Sequence, residues 1–149
     1  MLSKAGKTLS AAESCTGGTI SALLTSVPGS SAYYLGSVTS YANEIKMNVL
    51  GVPEEIINQH GAVSSECVAA MAEGVRRLTG SDYSVATSGI AGPGGGSEEK
   101  PVGLVWIGVS SNKGTETFKM LFRSDRKRNI ERFASSALNK LREKLVNEL

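Results

Sequence analysis

The sequence predicts an α/β fold: a three-layer α/β/α sandwich around a mixed, mostly parallel sheet of about five strands, with an antiparallel edge strand. Three observations lead there. Short β-rich runs alternate with helical periodicities in the order strand, helix, strand, helices, strand, strand, strand, helix. Helical stretches separate the first three strands, as crossovers between parallel strands require. The last two strands flank Asn112-Lys113-Gly114, a hairpin turn that supplies the antiparallel edge.

The elements follow in order. Lys7 to Glu13 reads as a strand leading into Ser14-Cys15-Thr16-Gly17-Gly18. Thr19 to Val27 carries Ile20, Leu23, Leu24 and Val27 at helical spacing and stops at Pro28-Gly29. Ala32 to Tyr41 alternates and is rich in Tyr, Val, Ser and Thr, which marks a strand. Asn43 is placed to cap a helix from Glu44 to Leu50, and Gly51 ends it. Pro53 opens another short helix that ends near Gly61. Ser64 or Ser65 caps a longer helix with Val68, Met71, Ala72, Val75 and Leu78 on one face. Tyr83 to Ile90 is a strand that enters Ala91-Gly92-Pro93-Gly94-Gly95-Gly96, and Leu104–Ser110 and Thr115–Phe122 are the hairpin strands. The last helix starts at Ser124, and its stripe of Ile130, Phe133, Ala134, Ala137, Leu138, Leu141 and Leu145 covers the sheet.

No repeat, linker or low-complexity segment divides the 149 residues, so a single domain over residues 1–149 is expected. Hydrophobic residues make up 40% and charged residues 20%, and the net charge of +2 gives no electrostatic case for a nucleic-acid or membrane partner. No apolar run approaches membrane-span length and no signal peptide is visible, so a cytoplasmic setting is expected. Two cysteines, Cys15 and Cys67, and one histidine, His60, form no ligand cluster, so no metal is expected.

Ligands of open α/β sheets bind beyond the carboxyl ends of the strands, where Glu13–Gly18, Tyr41–Lys46 and Ser88–Gly96 fall. Ser14 sits at a strand-to-helix turn whose free N–H groups can hold an anion or a developing oxyanion, which suits a nucleophile. Ser14 or Thr16 also suits a plainer role as the helix cap. Nothing ties His60 to Ser14, so a Ser-Lys arrangement fits better, with Tyr41 and Lys46 on the neighbouring turn. Lys46 then has to be neutral, which needs burial or a nearby positive charge. A solvated helix lysine is the alternative. Cys15 is a rival nucleophile or simply a small buried residue. The Gly92–Ser97 stretch can wrap a phosphate or serve only as a connection. Among the basic residues opening the last helix, Arg126 is the candidate for touching an anionic ligand, with Lys127 and Arg128 reading as a solvated face.

Five segments occur in order: Ala12–Gly18, Tyr41–Lys46, His60–Ser64, Ser88–Pro93 and Gly96–Gly103. Together they resemble the C-terminal domain of competence/damage-inducible protein CinA and its stand-alone relatives, the nicotinamide-mononucleotide amidohydrolases, over nearly the whole chain. That resemblance implies hydrolysis of the nicotinamide mononucleotide carboxamide to nicotinate mononucleotide and ammonia, in pyridine nucleotide salvage, with no metal or cofactor. It implies Ser14 as nucleophile, helped by Tyr41 and Lys46, with the backbone that follows Ser14 as oxyanion hole. Glu13, Cys15, Thr16, Gly17, Gly18, Asn43, Ser88, Gly89, Gly92, Pro93, Gly94 and Arg126 are the implied substrate-binding residues. Arg126 stands in Ser124-Asp125-Arg126, where relatives usually carry Gly-Asp-Arg.

The resemblance also implies a helix before the first strand and, in full-length relatives, a fused N-terminal domain. Only a few residues precede the first strand here, so that helix is expected to be missing, and the sheet surface it would cover favours a homo-oligomer. A non-catalytic nucleotide-binding or interaction module of a competence or damage response is the second reading.

Overall fold

The computed structural model describes residues 1–149 and joins five strands into one sheet: β1 (Leu9–Glu13), β2 (Tyr34–Thr39), β3 (Tyr83–Gly89), β4 (Leu104–Ser111) and β5 (Gly114–Leu121). Their spatial order is β2-β1-β3-β4-β5. β1 pairs in parallel with both β2 and β3, and β4 runs antiparallel between β3 and β5. The mixed sheet with an antiparallel edge pairing is therefore as the sequence predicts.

Helices cover both faces. On one side α2 (Thr19–Thr25) and α6 (Arg126–Glu148) enclose a core of Leu9, Ala11, Ile20, Leu24, Val85, Ile107, Phe133, Ala137 and their neighbours. On the other, α5 (Ser65–Thr79) lays Val68, Met71, Ala72 and Val75 against Ala12 and Ala86. Ala11 and Ala12 enter opposite cores because successive strand side chains point to opposite faces. α3 (Asn43–Asn48) and α4 (Glu54–His60) complete that second layer, with Leu50 and Val52 between them. No helix is long and apolar enough to cross a membrane.

Several local expectations change. Leu2–Ala5 forms a single helical turn, α1, ended by Gly6 in the left-handed region, so the expected gap before β1 holds one turn. Leu23 and Leu78, placed on the apolar faces of their helices, are exposed, and Val27, exposed too, lies beyond the end of α2 at Thr25. Asn43 does not cap α3; Ala42 stands at the cap position without a side-chain bond, and Asn43 is the first helical residue. Ser64, not Ser65, caps α5 by accepting the Cys67 N–H. Asp125 caps α6 by accepting the Arg128 N–H.

Candidate functional site

The carboxyl ends of β1, β2 and β3 bring three segments together. Ser14 directly follows β1, and its N–H extends the β1–β3 ladder by donating to Thr87 O at 3.1 Å. Ser40 does the same on the other side, donating its N–H to Glu13 O at 2.8 Å. Ser14 and the Ser40-Tyr41 turn are thus neighbours because their parent strands are hydrogen-bonded.

Glu13 is fully buried and its carboxylate is saturated. It accepts the Ile20 and Ser21 N–H groups at 2.8 and 3.0 Å and the Thr16 hydroxyl at 2.7 Å. Since Thr16 donates to Glu13, the 2.8 Å contact between Thr16 and Thr87 is donated by Thr87. The carboxylate therefore caps α2, and neither Ser14 nor Thr16 does. This corrects the expectation that the N–H groups opening α2 are free for an anion. The free groups lie earlier, at Cys15 and Thr16, whose N–H groups donate to no protein oxygen. Gly17 and Gly18 carry the chain from there into α2 at φ 57° and 107°, a path that side chains disfavour.

Lys46 is 1% exposed, so it is not a solvated helix lysine. Its Nζ donates to Ser40 O at 2.8 Å and Tyr41 O at 3.1 Å, and no carboxylate lies within ion-pair distance of it. Burial pulls the Lys46 pKa below its ordinary value of 10.5, while the nearby Cys67 and Cys15 thiols act weakly the other way. Burial pushes the Cys15 thiol up to about 12 and the Cys67 thiol to about 11. Cys15 is a protonated, inert neighbour at neutral pH.

Beyond β3 the chain runs through Ile90-Ala91-Gly92, crosses a cis bond to Pro93, and returns at Val102. Gly92 holds φ +87°, and a Cβ there would lie 2.4 Å from Val102 Cγ1, so only glycine fits this turn. Arg126, the first residue of α6, donates from Nη1 to Gly92 O at 2.7 Å and from Nη2 to the Tyr41 hydroxyl at 3.3 Å. One guanidinium thus spans the mouth from the glycine loop to the β2–α3 turn.

These segments enclose an open cleft of about 270 Å³. Ser14, Cys15, Tyr41, Asn43, Lys46, Ser88, Gly89, Gly92, Gly94 and Arg126 line it. Glu13, Thr16, Gly17, Gly18 and Pro93 stand outside its lining: the first two are tied up beneath the Ser14 turn, and the glycines shape the turn's path. Ala62 and Val63 line the cleft too, held by the Ser88 hydroxyl donating to Ala62 O at 2.7 Å. The sequence reading carries them only within the His60–Ser64 segment and gives them no site role, although α5 leads into parallel strand β3 and must start at the carboxyl edge. His60 lies outside, 3.8 Å from Glu66.

A family model described as CinA C-terminal domain matches residues 1–145. A CinA-like protein of Endomicrobium trichonymphae is 54% identical over 94% of this chain, and a putative competence-damage inducible protein of Halothermothrix orenii is 52% identical over 87%. The chain spans about a third of the length of these curated relatives, 33% and 32%. Among solved structures, the competence damage-inducible protein A (ComA) from Klebsiella pneumoniae superposes with TM-score 0.94 at 39% identity, covering 97% of this chain and 90% of that one. Competence/damage inducible protein CihA from Agrobacterium tumefaciens gives TM-score 0.92 at 38% identity, covering 94% and 86%. The shared sequence and the shared fold agree, and the chain belongs to the CinA C-terminal domain family.

Proposed function

We propose that this domain hydrolyses the carboxamide of nicotinamide mononucleotide to nicotinate mononucleotide and ammonia. The observation that carries the reading is Lys46: a buried amine without a carboxylate partner, lining the same cleft as Ser14. A lysine so placed loses its proton more readily than one in water and can serve as a base.

In this scheme neutral Lys46 takes the Ser14 proton as Oγ attacks the carboxamide carbon. The Cys15 and Thr16 N–H groups receive the oxyanion. Collapse of the tetrahedral adduct breaks the C–N bond, and the Lys46 proton leaves with ammonia. Water, deprotonated by Lys46, then attacks the acyl-serine, giving the carboxylate and restoring Ser14. Arg126 supplies the charge for the substrate phosphate, and Tyr41 borders the reacting group.

A second reading, a nucleotide-binding module without turnover, is favoured by one detail: two carbonyl acceptors on Lys46 Nζ also suit an ammonium. Ammonia release from nicotinamide mononucleotide by wild type, Ser14→Ala and Lys46→Ala separates the two. Release abolished by both substitutions supports the amidase. Release that persists in Ser14→Ala overturns it, and nucleotide binding without release in wild type establishes the module.

A further inference from the structure

The wall of the cleft opposite Lys46 is the glycine loop, and its attachment is lopsided. Backbone pairing closes the base of the loop, where Ile90 donates to Leu104 O at 2.8 Å and Gly103 to Ile90 O at 2.7 Å. Between residues 91 and 96 the loop has no backbone pairing of its own. Ala91 is buried in the core and Gly92 and Gly96 lie close against Val102, but the two hydrogen bonds from the rest of the protein both come from α6: Arg126 on Gly92 O, and Asn129 Nδ2 on Ala91 O at 3.0 Å. Residues 126 and 129 lie three apart, on one face of the helix, and so hold consecutive carbonyls.

The two ties differ in kind. Arg126 is an exposed cation resting on a neutral carbonyl and a neutral phenol, and any phosphate in the cleft is a stronger partner for it. Asn129 is fully buried and neutral, and its Nδ2 also donates to Ser124 O at 2.9 Å, just before α6. An anion in the cleft does not compete for those bonds. Its Oδ1 is buried without a partner, so the value of the asparagine lies in Nδ2, and an apolar side chain would leave the Ala91 and Ser124 carbonyls without that donor.

We propose that Asn129 is a positioning residue: it keeps the Ala91–Gly96 wall hydrogen-bonded to α6, so that Arg126 can leave Gly92 for an anionic ligand without the wall moving. The kinetic consequence rests on the amidase reading above; the structural one does not. With the wall loosened, Arg126 still captures the phosphate, but the carboxamide is no longer aligned on Ser14.

The test compares Asn129→Leu and Asn129→Asp with Arg126→Gln. Asn129→Asp keeps the shape and loses the donor, and it stands in if the leucine variant does not fold. Cleavage after Glu98 or Glu99 by a glutamate-specific protease reads the loop without any turnover. The Asn129 variants should be cut at least fivefold faster than wild type, and Arg126→Gln less than twofold faster. With nicotinamide mononucleotide, the Asn129 variants should lose at least tenfold in kcat with KM within threefold of wild type, whereas Arg126→Gln should chiefly raise KM. Wild-type cleavage rates in the Asn129 variants, or equal loosening by Arg126→Gln, overturn the proposal. A wild type that releases no ammonia sinks the amidase reading and leaves the cleavage result to decide the role of Asn129.

Discussion

The Arg126 guanidinium meets the Tyr41 hydroxyl at 3.3 Å although 85 positions separate them. The same side chain reaches Gly92 O, so the first turn of α6, the β2–α3 turn and the glycine loop converge on one cation.

Arg126→Gln removes the charge and both bonds. A charge-assisted bond is worth about 1.5–3 kcal/mol, so KM for nicotinamide mononucleotide should rise about ten- to a hundredfold. Arg126→Lys should recover little, because an ammonium cannot reach the carbonyl and the phenol in a guanidinium's fork geometry. Steady-state kinetics of both variants check this.

Lys46→Met tests the buried amine in two ways. As the proposed base, its loss should lower kcat/KM by roughly 10²–10⁴. Its effect on stability follows from the depressed pKa. Below the folded pKa both states are protonated, and the fold bears the full cost of burying the ammonium. Between that pKa and 10.5 the unfolded chain binds more protons, so wild-type stability rises with pH. Urea unfolding should therefore show the methionine variant relatively most stable at low pH, its advantage shrinking as pH approaches 10.5.

Cys15 adjoins Ser14 in the cleft, but its thiol is pushed to about 12. Cys15→Ala should keep kcat/KM within about threefold of wild type, and iodoacetamide at pH 8 should label the native protein far more slowly than the unfolded chain. Rapid loss of activity on alkylation would return Cys15 to contention.

Gly92→Ala forces a side chain into the left-handed region and against Val102 Cγ1. The backbone strain costs about 1–2 kcal/mol, and the crowding adds to it. Activity should fall more steeply than the thermal midpoint, because the strained segment is a wall of the cleft. Adding Val102→Ala should relieve the crowding alone, giving partial recovery.

At the opposite end of the sheet Lys144 pairs with Glu148 at 2.9 Å, and Glu148 also accepts the Ser111 hydroxyl at 3.1 Å. Although burial works against it, these partners hold the Glu148 carboxyl below its ordinary range. The stabilisation is complete above the unfolded value of 4.5 and disappears as pH falls through the folded pKa. Glu148→Gln should cost ~2 kcal/mol at pH 7 and progressively less below pH 4.5, with kcat unchanged.

Much of this was legible in the sequence because local chemistry and tertiary context agree. The α6 stripe from Phe133 to Leu145 faces the sheet as its spacing predicts, and Asn112-Lys113 makes the hairpin turn. Ser14, Tyr41 and Lys46 meet in one cleft because strand pairing places their turns side by side, and Arg126 joins them from the first turn of α6, which packs across the sheet. What was not legible depends on which long-range partner claims a side chain. Glu13 looks like a ligand residue beside Ser14, yet two N–H groups seven and eight positions later hold it. Asn43 has cap chemistry, but the helix starts one residue too early to use it. Asn129 carries no sequence signal at all, since its partner Ala91 lies 38 positions back.

Because Arg126 and Asn129 supply the hydrogen bonds from α6 to the glycine loop, the cleft is completed by residues that follow every strand of the sheet in the chain. A growing chain already holds Ser14, Lys46, the whole sheet and the paired base of the loop before it has the two α6 side chains that bond the loop above them. Docking of α6 is then what adds the last wall to a folded sheet, and under the proposed function saturable nucleotide binding reports a packed α6, not merely formation of the strands.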